Sequence, residues 1–585
     1  MVSTKTLLEA ASISLLGGYL PSAEATGDHH RETTYYNPIF PGSYPDPSCI
    51  FLKEWDNTFF CATSTFNIFP GIPISASRDL QNWKVISNAL NRKDQLPMLE
   101  TTNGSTSGLW APTIRYHDGT FYVVTTLVHD KNPIEDPERW DNVIFTSKNP
   151  YDPESWSDPV HFEFLGYDPS PYWDKDGKVY MHGAHPWQVT PGIYQREVDL
   201  ETGEVGPEVK IWDGTGGMAP EGPHIFQRGG YYYLLIAEGG TGVGHMVTIA
   251  RSKNIGGPYE ANPANPILTN ANTTEYFQTV GHADLFQDAN GNWWGVALST
   301  RSVTNRLQGP EYLVYPMGRE TVMVPVTWES DGEWPVFEPV RGEMRGPLPR
   351  EDRRFAKPRD CPSEGNLLTF EPGSDLPDNF VYWRTPRDSY VVSEEGHPNT
   401  LALEPSKLNL TGYDGNYAPT GQTFVAVRQT DTLFTYNVDM EFNPMEEEEE
   451  AGVSVFLTMN HHIDLGIVNL PNTKDSGSLV PHFRFRAESA VPLPMPVVEP
   501  LPAAWHGKKL TLEIKAINIT HYAFSAGPAD ARSQMKTIAY GGGDLVSWGF
   551  TGTLIGAYAT SNDKAGQTKA YISNWLYRGQ DQFRN

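Results

Sequence analysis

The chain has 585 residues, more than one hydrophobic core usually organises, so two domains are expected. A formal net charge of -27 opposes a nucleic-acid partner and suits a well-solvated surface; it names no substrate, and a neutral polysaccharide is compatible with it. Cys49, Cys61 and Cys361 are the only cysteines, which excludes a disulfide-rich scaffold.

Lys5, an apolar stretch from Ala10 to Leu20 and then Ala23-Glu24-Ala25 have the order of a secretory signal, expected over residues 1–25. The apolar stretch is too short to span a bilayer permanently, and Glu9 interrupts its edge. No other stretch approaches the length of a membrane-spanning helix, so a soluble, secreted protein without a membrane partner is expected. Four sequons, at Asn103, Asn272, Asn409 and Asn518, fit a eukaryotic secretory route.

A first domain is expected over residues 35–344, where one short design recurs five times. Its copies open at Pro45-Asp46-Pro47-Ser48, Trp110-Ala111-Pro112-Thr113, Asp168-Pro169-Ser170-Pro171, Glu221-Gly222-Pro223-His224 and Gly281-His282-Ala283-Asp284. Each opening leads through a few apolar residues and a polar turn, such as Asp118-Gly119 or Gly229-Gly230, into an aromatic strand. Such pairs of strands are hairpins, and hairpins recurring every fifty to sixty-five residues, roughly, predict the blades of a β-propeller. The opening residues would then converge on one axial pocket. Cys49 and Cys61 flank the first turn almost symmetrically; a bridge and a pair of free thiols both remain open.

Residues 345–366 read as a linker, because Arg345 to Glu364 carries several prolines and many charges without apolar periodicity. Over residues 367–580 strand alternation resumes. Phe434 to Phe442 and Leu510 to Lys515 each place an apolar residue at every second position, which buries one face of an antiparallel strand. Several such strands without a long helix predict a β-sandwich, so the whole chain is expected to be all-β. The run Glu446 to Glu450 reads as a solvated loop.

Three blade openings carry a carboxylate: Asp46, Asp168 and Glu221. One alone would read as a turn former capping local amides. Three at one phase of a repeat instead suit glycoside hydrolysis, which needs a carboxylic acid to protonate the leaving oxygen and a carboxylate to activate water or attack the anomeric carbon. A third carboxylate nearby disfavours ionisation of the acid and keeps it protonated near neutral pH.

The segments Asn37-Pro38 to Gly42, Tyr44-Pro45-Asp46-Pro47-Ser48, Ser64-Thr65-Phe66, Trp110-Ala111-Pro112, Asp168-Pro169-Ser170, Glu221-Gly222-Pro223-His224 and Gly318-Arg319-Glu320-Thr321 together resemble glycoside hydrolase family 43, in order from about Asn37 to Phe337. The C-terminal half more loosely resembles the concanavalin-A-like sandwich that accompanies many members, and the whole is similar to fungal two-domain α-L-arabinofuranosidases and β-xylosidases. The resemblance implies a five-bladed propeller and hydrolysis with inversion. It makes Asp46 the general base, Glu221 the general acid and Asp168 the carboxylate that tunes and orients the acid. It implies Phe66 and Trp110 as aromatic walls of the sugar pocket, with core aromatics between blades as the other reading. Arg319 would reach substrate hydroxyls or form a structural ion pair. His282 matches a histidine that in some members binds a calcium or sodium ion on the axis through a largely aqueous shell; a core histidine is equally compatible, and no cofactor is required. Arabinan-cleaving members tend to place alanine between the acid and its proline, whereas Gly222 stands here, which speaks against an arabinanase.

The leading expectation is a monomeric exo-acting pentosidase that removes arabinofuranose side chains from arabinoxylan. Release of xylose from xylo-oligosaccharide ends is its nearest rival, since a pocket shaped for one pentose can admit another. A non-catalytic sugar-binding protein is the alternative of another class, opposed by the carboxylate trio. A sialidase would use a tyrosine nucleophile, and its repeated Ser-x-Asp-x-Gly-x-Thr-Trp boxes are absent from the sequence.

Overall fold

The computed structural model describes residues 32–301, 314–355, 366–412, 421–472 and 477–585. The expected signal, Cys361 and much of the expected linker lie outside them. The architecture is all-β, a five-bladed propeller followed by a sandwich.

Each blade is an antiparallel meander. The innermost strands are Ser48–Leu52, Thr113–His117, Tyr167–Trp173, Glu221–Arg228 and Phe277–Gln287, each packed against the next and the fifth against the first, which closes the ring. Tight turns make the hairpins: Asp118-Gly119 and Gly229-Gly230 all have positive φ, the geometry that two-residue hairpin loops demand. Outside the ring, Thr33–Tyr36 pairs with Glu343–Gly346, so the two ends of the propeller segment hold each other. Cys49 and Cys61 stand directly opposite in the first hairpin and are joined by a disulfide.

The repeat has a physical purpose on the axis. Asp284 of the fifth blade, fully buried, accepts from Ser48 Oγ of the first at 2.7 Å and from Arg115 Nη1 of the second at 2.8 Å. Arg115 Nη2 also meets His224 Nδ1 of the fourth blade at 3.0 Å, and that nitrogen lies 3.0 Å from Ser170 Oγ of the third. One polar side chain from every blade thus joins a single network beneath the pocket. Buried polar groups of this kind stabilise only when they are paired.

The sandwich packs a six-stranded sheet on an eight-stranded one. Alternation fills its core: Phe434, Tyr436, Val438 and Met440 of Leu433–Glu441 pack with Val453, Val455 and Leu457 of Glu450–Thr458. The glutamate run departs from the expected solvated loop in its last two members. Glu449 and Glu450 are buried, Glu449 accepting the amides of Met445, Glu446 and Thr568, and Glu450 binding Tyr558 Oη at 2.7 Å and the Arg484 guanidinium. Burial of these two adjacent residues is decided by the partners that the fold brings to each carboxylate rather than by the charge of the run.

The two domains share structure. Tyr382–Trp383 pairs with Ile68–Phe69 of the first blade, extending across the interface as a two-stranded sheet. Arg384, almost wholly buried, donates from Nε to the Thr102 carbonyl at 2.7 Å. Gly318 lies so close to the sandwich that a Cβ there would stand 2.3 Å from the Thr551 carbonyl oxygen, and its φ of +70° independently favours glycine.

Candidate active site

The innermost strands and the segments beside them place Asp46, Phe66, Trp110, Asp168, Glu221, His282 and Arg319 around one cavity of about 320 Å³. All seven residues singled out in the sequence therefore meet. Their phase differs from the expectation. Asp46, Asp168 and His282 occupy the left-handed region at φ 54°, 58° and 52°, and the position equivalent to theirs in the fourth blade is Gly222, at 59°. Glu221 stands one residue earlier, in line with Tyr167. The sheet register skips at this point in the third, fourth and fifth blades. Each left-handed side chain costs about 1–3 kcal/mol in strain, which the surrounding blade must supply.

Gly222 is explained by its neighbour. A Cβ on it would lie 3.0 Å from His282 Cε1, tighter than ordinary contact, at a positive φ that already disfavours a side chain. Alanine at this point would require His282 to move.

Asp46 Oδ2 accepts from Ser64 Oγ at 2.6 Å and from Arg319 Nη2 at 3.1 Å. Burial pushes its carboxyl up, but the Arg319 guanidinium, with His282 and the serine bond, overcomes this and holds it below the usual aspartate value. Arg319 is thus both an ion-pair partner and a pocket wall. Glu221 has the opposite environment. Burial, then the Asp46 charge, raise its carboxyl to about 7 against the pull of Arg319 and of Tyr167 Oη, which sits 3.3 Å from Oε2. Asp168 is also pushed well up, by burial and then by Glu221, although its Oδ2 accepts the Gly222 amide at 3.0 Å. Buried and mutually repelling, Glu221 and Asp168 titrate as a pair that holds a proton through neutral pH.

His282 is buried with Nδ1 3.9 Å from Asp46 Oδ1, and burial lowers its pKa, as it does for His245 nearby. Arg319 is therefore the cation that pairs with Asp46, while a second guanidinium, Arg139, lines the cavity. Among the described residues no group of three or more His, Cys, Asp or Glu side chains is arranged to hold a metal ion. A shell around the His282 imidazole would rest largely on water.

The walls are aromatic. Phe66 and Trp110 stand with ring centroids 6.2 Å apart, and both face Phe550 of the sandwich at 5.7 and 6.1 Å. Trp110 Nε1 donates to the Thr106 carbonyl at 2.8 Å, which fixes the indole plane. Phe550 closes the pocket on one side, so the second domain supplies part of the site.

A model of the glycosyl hydrolases family 43 matches residues 35–335. The chain belongs to family 43. Within this family 43 chain a second model, the beta xylosidase C-terminal concanavalin A-like domain, matches residues 369–578. The non-reducing end alpha-L-arabinofuranosidase BoGH43B of Bacteroides ovatus is 34% identical over 550 residues, covering 92% of this chain and 94% of that protein. A xylosidase/arabinosidase of Butyrivibrio fibrisolvens is 35% identical over 451 residues, covering 74% and 79%. Among solved structures, the xylan beta-1,4-xylosidase of Bacillus halodurans superposes with a TM-score of 0.80 at 27% identity, covering 93% of this chain and 99% of that one.

The family 43 chain is thus a glycoside hydrolase, and several residues that line its pocket were missed in the sequence, among them Arg139, Trp140, Tyr167, Trp187 and Phe550. Tyr167 was accessible, because it aligns with Glu221 once the glycine is recognised as the left-handed position. Phe550, in Gly549-Phe550-Thr551-Gly552, lies about 230 residues beyond Arg319 and carries no repeat or motif.

Proposed function

We propose that this glycoside hydrolase is an exo-acting, inverting pentosidase that releases L-arabinofuranose from arabinoxylan side chains. The observation that carries the reading is the division of three buried carboxyls into one held ionised beside Arg319 and a pair that retains a proton, in a small pocket closed by Phe550. Asp46 takes a proton from water as the water oxygen bonds to the anomeric carbon. Glu221 gives its proton to the glycosidic oxygen as the carbon–oxygen bond breaks. Asp168, bound to the Gly222 amide, orients the acid and keeps its proton in place. Arg319 holds Asp46 and reaches sugar hydroxyls, while Phe66, Trp110 and Phe550 pack against the apolar faces of the sugar.

Exo action rests on the pocket's being closed on one side, and the arabinosidase names of relatives such as BoGH43B support the sugar assigned. Release of xylose from xylo-oligosaccharide ends is the second reading, favoured by the similarity to xylosidases over both domains. Incubation with singly and doubly arabinosylated xylo-oligosaccharides and with unbranched xylo-oligosaccharides, followed by identification of the released sugar, separates them. Free arabinose supports the first reading; xylose alone supports the second; neither sugar, with ligand still bound, returns the chain to a carbohydrate-binding role. We also propose a secreted, monomeric protein, supported by the apolar segment at residues 10–20 and by the exposed sequon asparagines Asn103, Asn272 and Asn518. Mass spectrometry and light scattering of the secreted protein test both points.

A further inference from the structure

Outside the carboxyl trio, another buried acid stands beside the site. Glu238 ends the strand Tyr231–Glu238, one residue past Ala237, the cross-strand partner of Glu221. It is fully buried, yet none of its hydrogen-bond partners is charged. Its Oε1 accepts the amides of Thr215 at 2.9 Å and Gly217 at 3.0 Å. Its Oε2 accepts the Thr215 amide at 3.1 Å, Thr215 Oγ at 2.9 Å and Thr248 Oγ at 2.6 Å. Converging backbone amides of this kind make a concave anion seat, here filled by the chain's own side chain.

Most of these donors come from residues 213–220, the segment that leads directly into Glu221 and contributes Met218 and Ala219 to the pocket wall. The segment is shaped around the carboxylate. A Cβ on Gly214 would lie 2.5 Å from Glu238 Oε1, and one on Gly217 would lie 3.0 Å from Glu238 Cβ. The amides of Gly239 and Gly240, which follow Glu238, donate to the Met218 carbonyl at 2.7 and 3.2 Å. Thr241, next in the chain, also lines the pocket. The Glu238-Gly239-Gly240 run therefore fastens two pocket-lining segments to each other and to the strand that bears the acid.

We propose that Glu238 is a positioning residue for Glu221: its carboxylate anchors residues 213–220 and so fixes the direction from which the acid enters the pocket. The proposal rests on the assignment of Glu221 as proton donor. Its cause is steric and electrostatic. Without an acceptor, the Thr215 and Gly217 amides lose the partner that holds them, and the segment, exposed at Thr215, shifts to pair them with water. Displacement of a catalytic group by about 1 Å can cost 10²-fold in rate.

Glu238→Met nearly keeps the side-chain volume and replaces both carboxylate oxygens with a weakly accepting thioether. Glu238→Gln serves as the rescue variant: its amide oxygen can take both backbone amides, while the Thr215 and Thr248 hydroxyls turn to accept its NH₂. The full chain and both variants are compared on a natural arabinoside and on an aryl arabinoside whose leaving group needs no proton, together with deuterium exchange of residues 213–220. The Met variant is expected to lose about 30- to 100-fold in kcat on the natural substrate. On the aryl substrate it should lose only severalfold, with KM little changed, faster exchange in residues 213–220 and recovery in the Gln variant. Unchanged exchange in a folded Met variant overturns the proposal. So does an equal loss on both substrates, which would make Glu238 merely structural. Should Glu238→Met fail to fold, Thr248→Val removes one bond, and the same pattern at smaller amplitude is required of it. The exchange measurement needs no turnover, so it remains informative if Glu221 proves not to be the acid.

Discussion

Arg319 joins the two domains at the reacting centre: its Nε donates to the Phe550 carbonyl at 2.9 Å while its Nη2 donates to the Asp46 carboxylate at 3.1 Å. The guanidinium also lies 4.9 Å from the centroid of the Phe550 ring, so the sandwich positions the cation that favours the ionised form of Asp46.

The consequence is measurable at Phe550. Phe550→Ala keeps the backbone carbonyl but removes an aromatic wall, and is expected to lower kcat/KM about 10-fold or more, mainly through KM, since a pocket aromatic packs against sugar in ground and transition states alike. A chain ending after Pro349 loses the carbonyl, the ring and the strand Tyr382–Trp383, and should lose thermal stability and activity together. If that shortened chain folds and turns over arabinoxylan like the full chain, the shared-site account fails.

Glu221→Gln removes the proton donor while keeping the side chain's shape. Hydrolysis of natural glycosides should fall by about 10²- to 10⁴-fold, with much less loss on substrates whose leaving group needs no protonation. The pH profile carries the same information. A carboxyl raised to about 7 works while protonated, so wild-type kcat/KM should fall as pH rises through about 7, and that alkaline limb should vanish in Glu221→Gln. The acid limb belongs to Asp46, which works while ionised; held below the usual aspartate value, it should limit activity only in strong acid. An alkaline limb that persists in the glutamine variant would assign the proton elsewhere.

Asp46→Asn leaves the pocket's shape nearly intact and removes activation of the water. Turnover should drop by about 10²-fold or more while sugar binding, read by calorimetry, survives. Proton NMR of the first product anomer is the sharper check on the wild type, because inversion needs a water between base and sugar. Retention of configuration would contradict the role given to Asp46.

Beneath the pocket, Asp284 is the anion on which the blades converge. Asp284→Ala leaves the half-buried Arg115 without its counter-ion, a change expected to be destabilising and to lower the unfolding temperature clearly. A variant that melts with the wild type would show that the axial network contributes specificity of assembly rather than stability.

The propeller was legible in the sequence because its signals are local. A two-residue Asp-Gly or Gly-Gly turn needs positive φ and therefore names its residues, and a repeated opening followed by an aromatic strand names a blade. The strand of residues 433–441 was legible for the same reason, since a period of two depends only on neighbours along the chain. The trio of carboxyls followed from those repeats, and the family resemblance assigned their roles. Their exact phase did not follow, because Glu221 and Asp168 look equivalent until Gly222 is seen to take the left-handed conformation. Charge misled at Glu449 and Glu450, where partners from distant strands, among them Arg484 and Tyr558, make burial favourable. Burial and the Asp46 charge raise the pKa of Glu221, and the lowered one of Asp46 depends on the placement of Arg319, some 270 residues away along the chain. Phe550 is the limiting case. No local rule marks a phenylalanine between glycine and threonine as part of a sugar pocket, and only the docking of one domain on the other, which excludes water and brings distant chain segments together, could place it there.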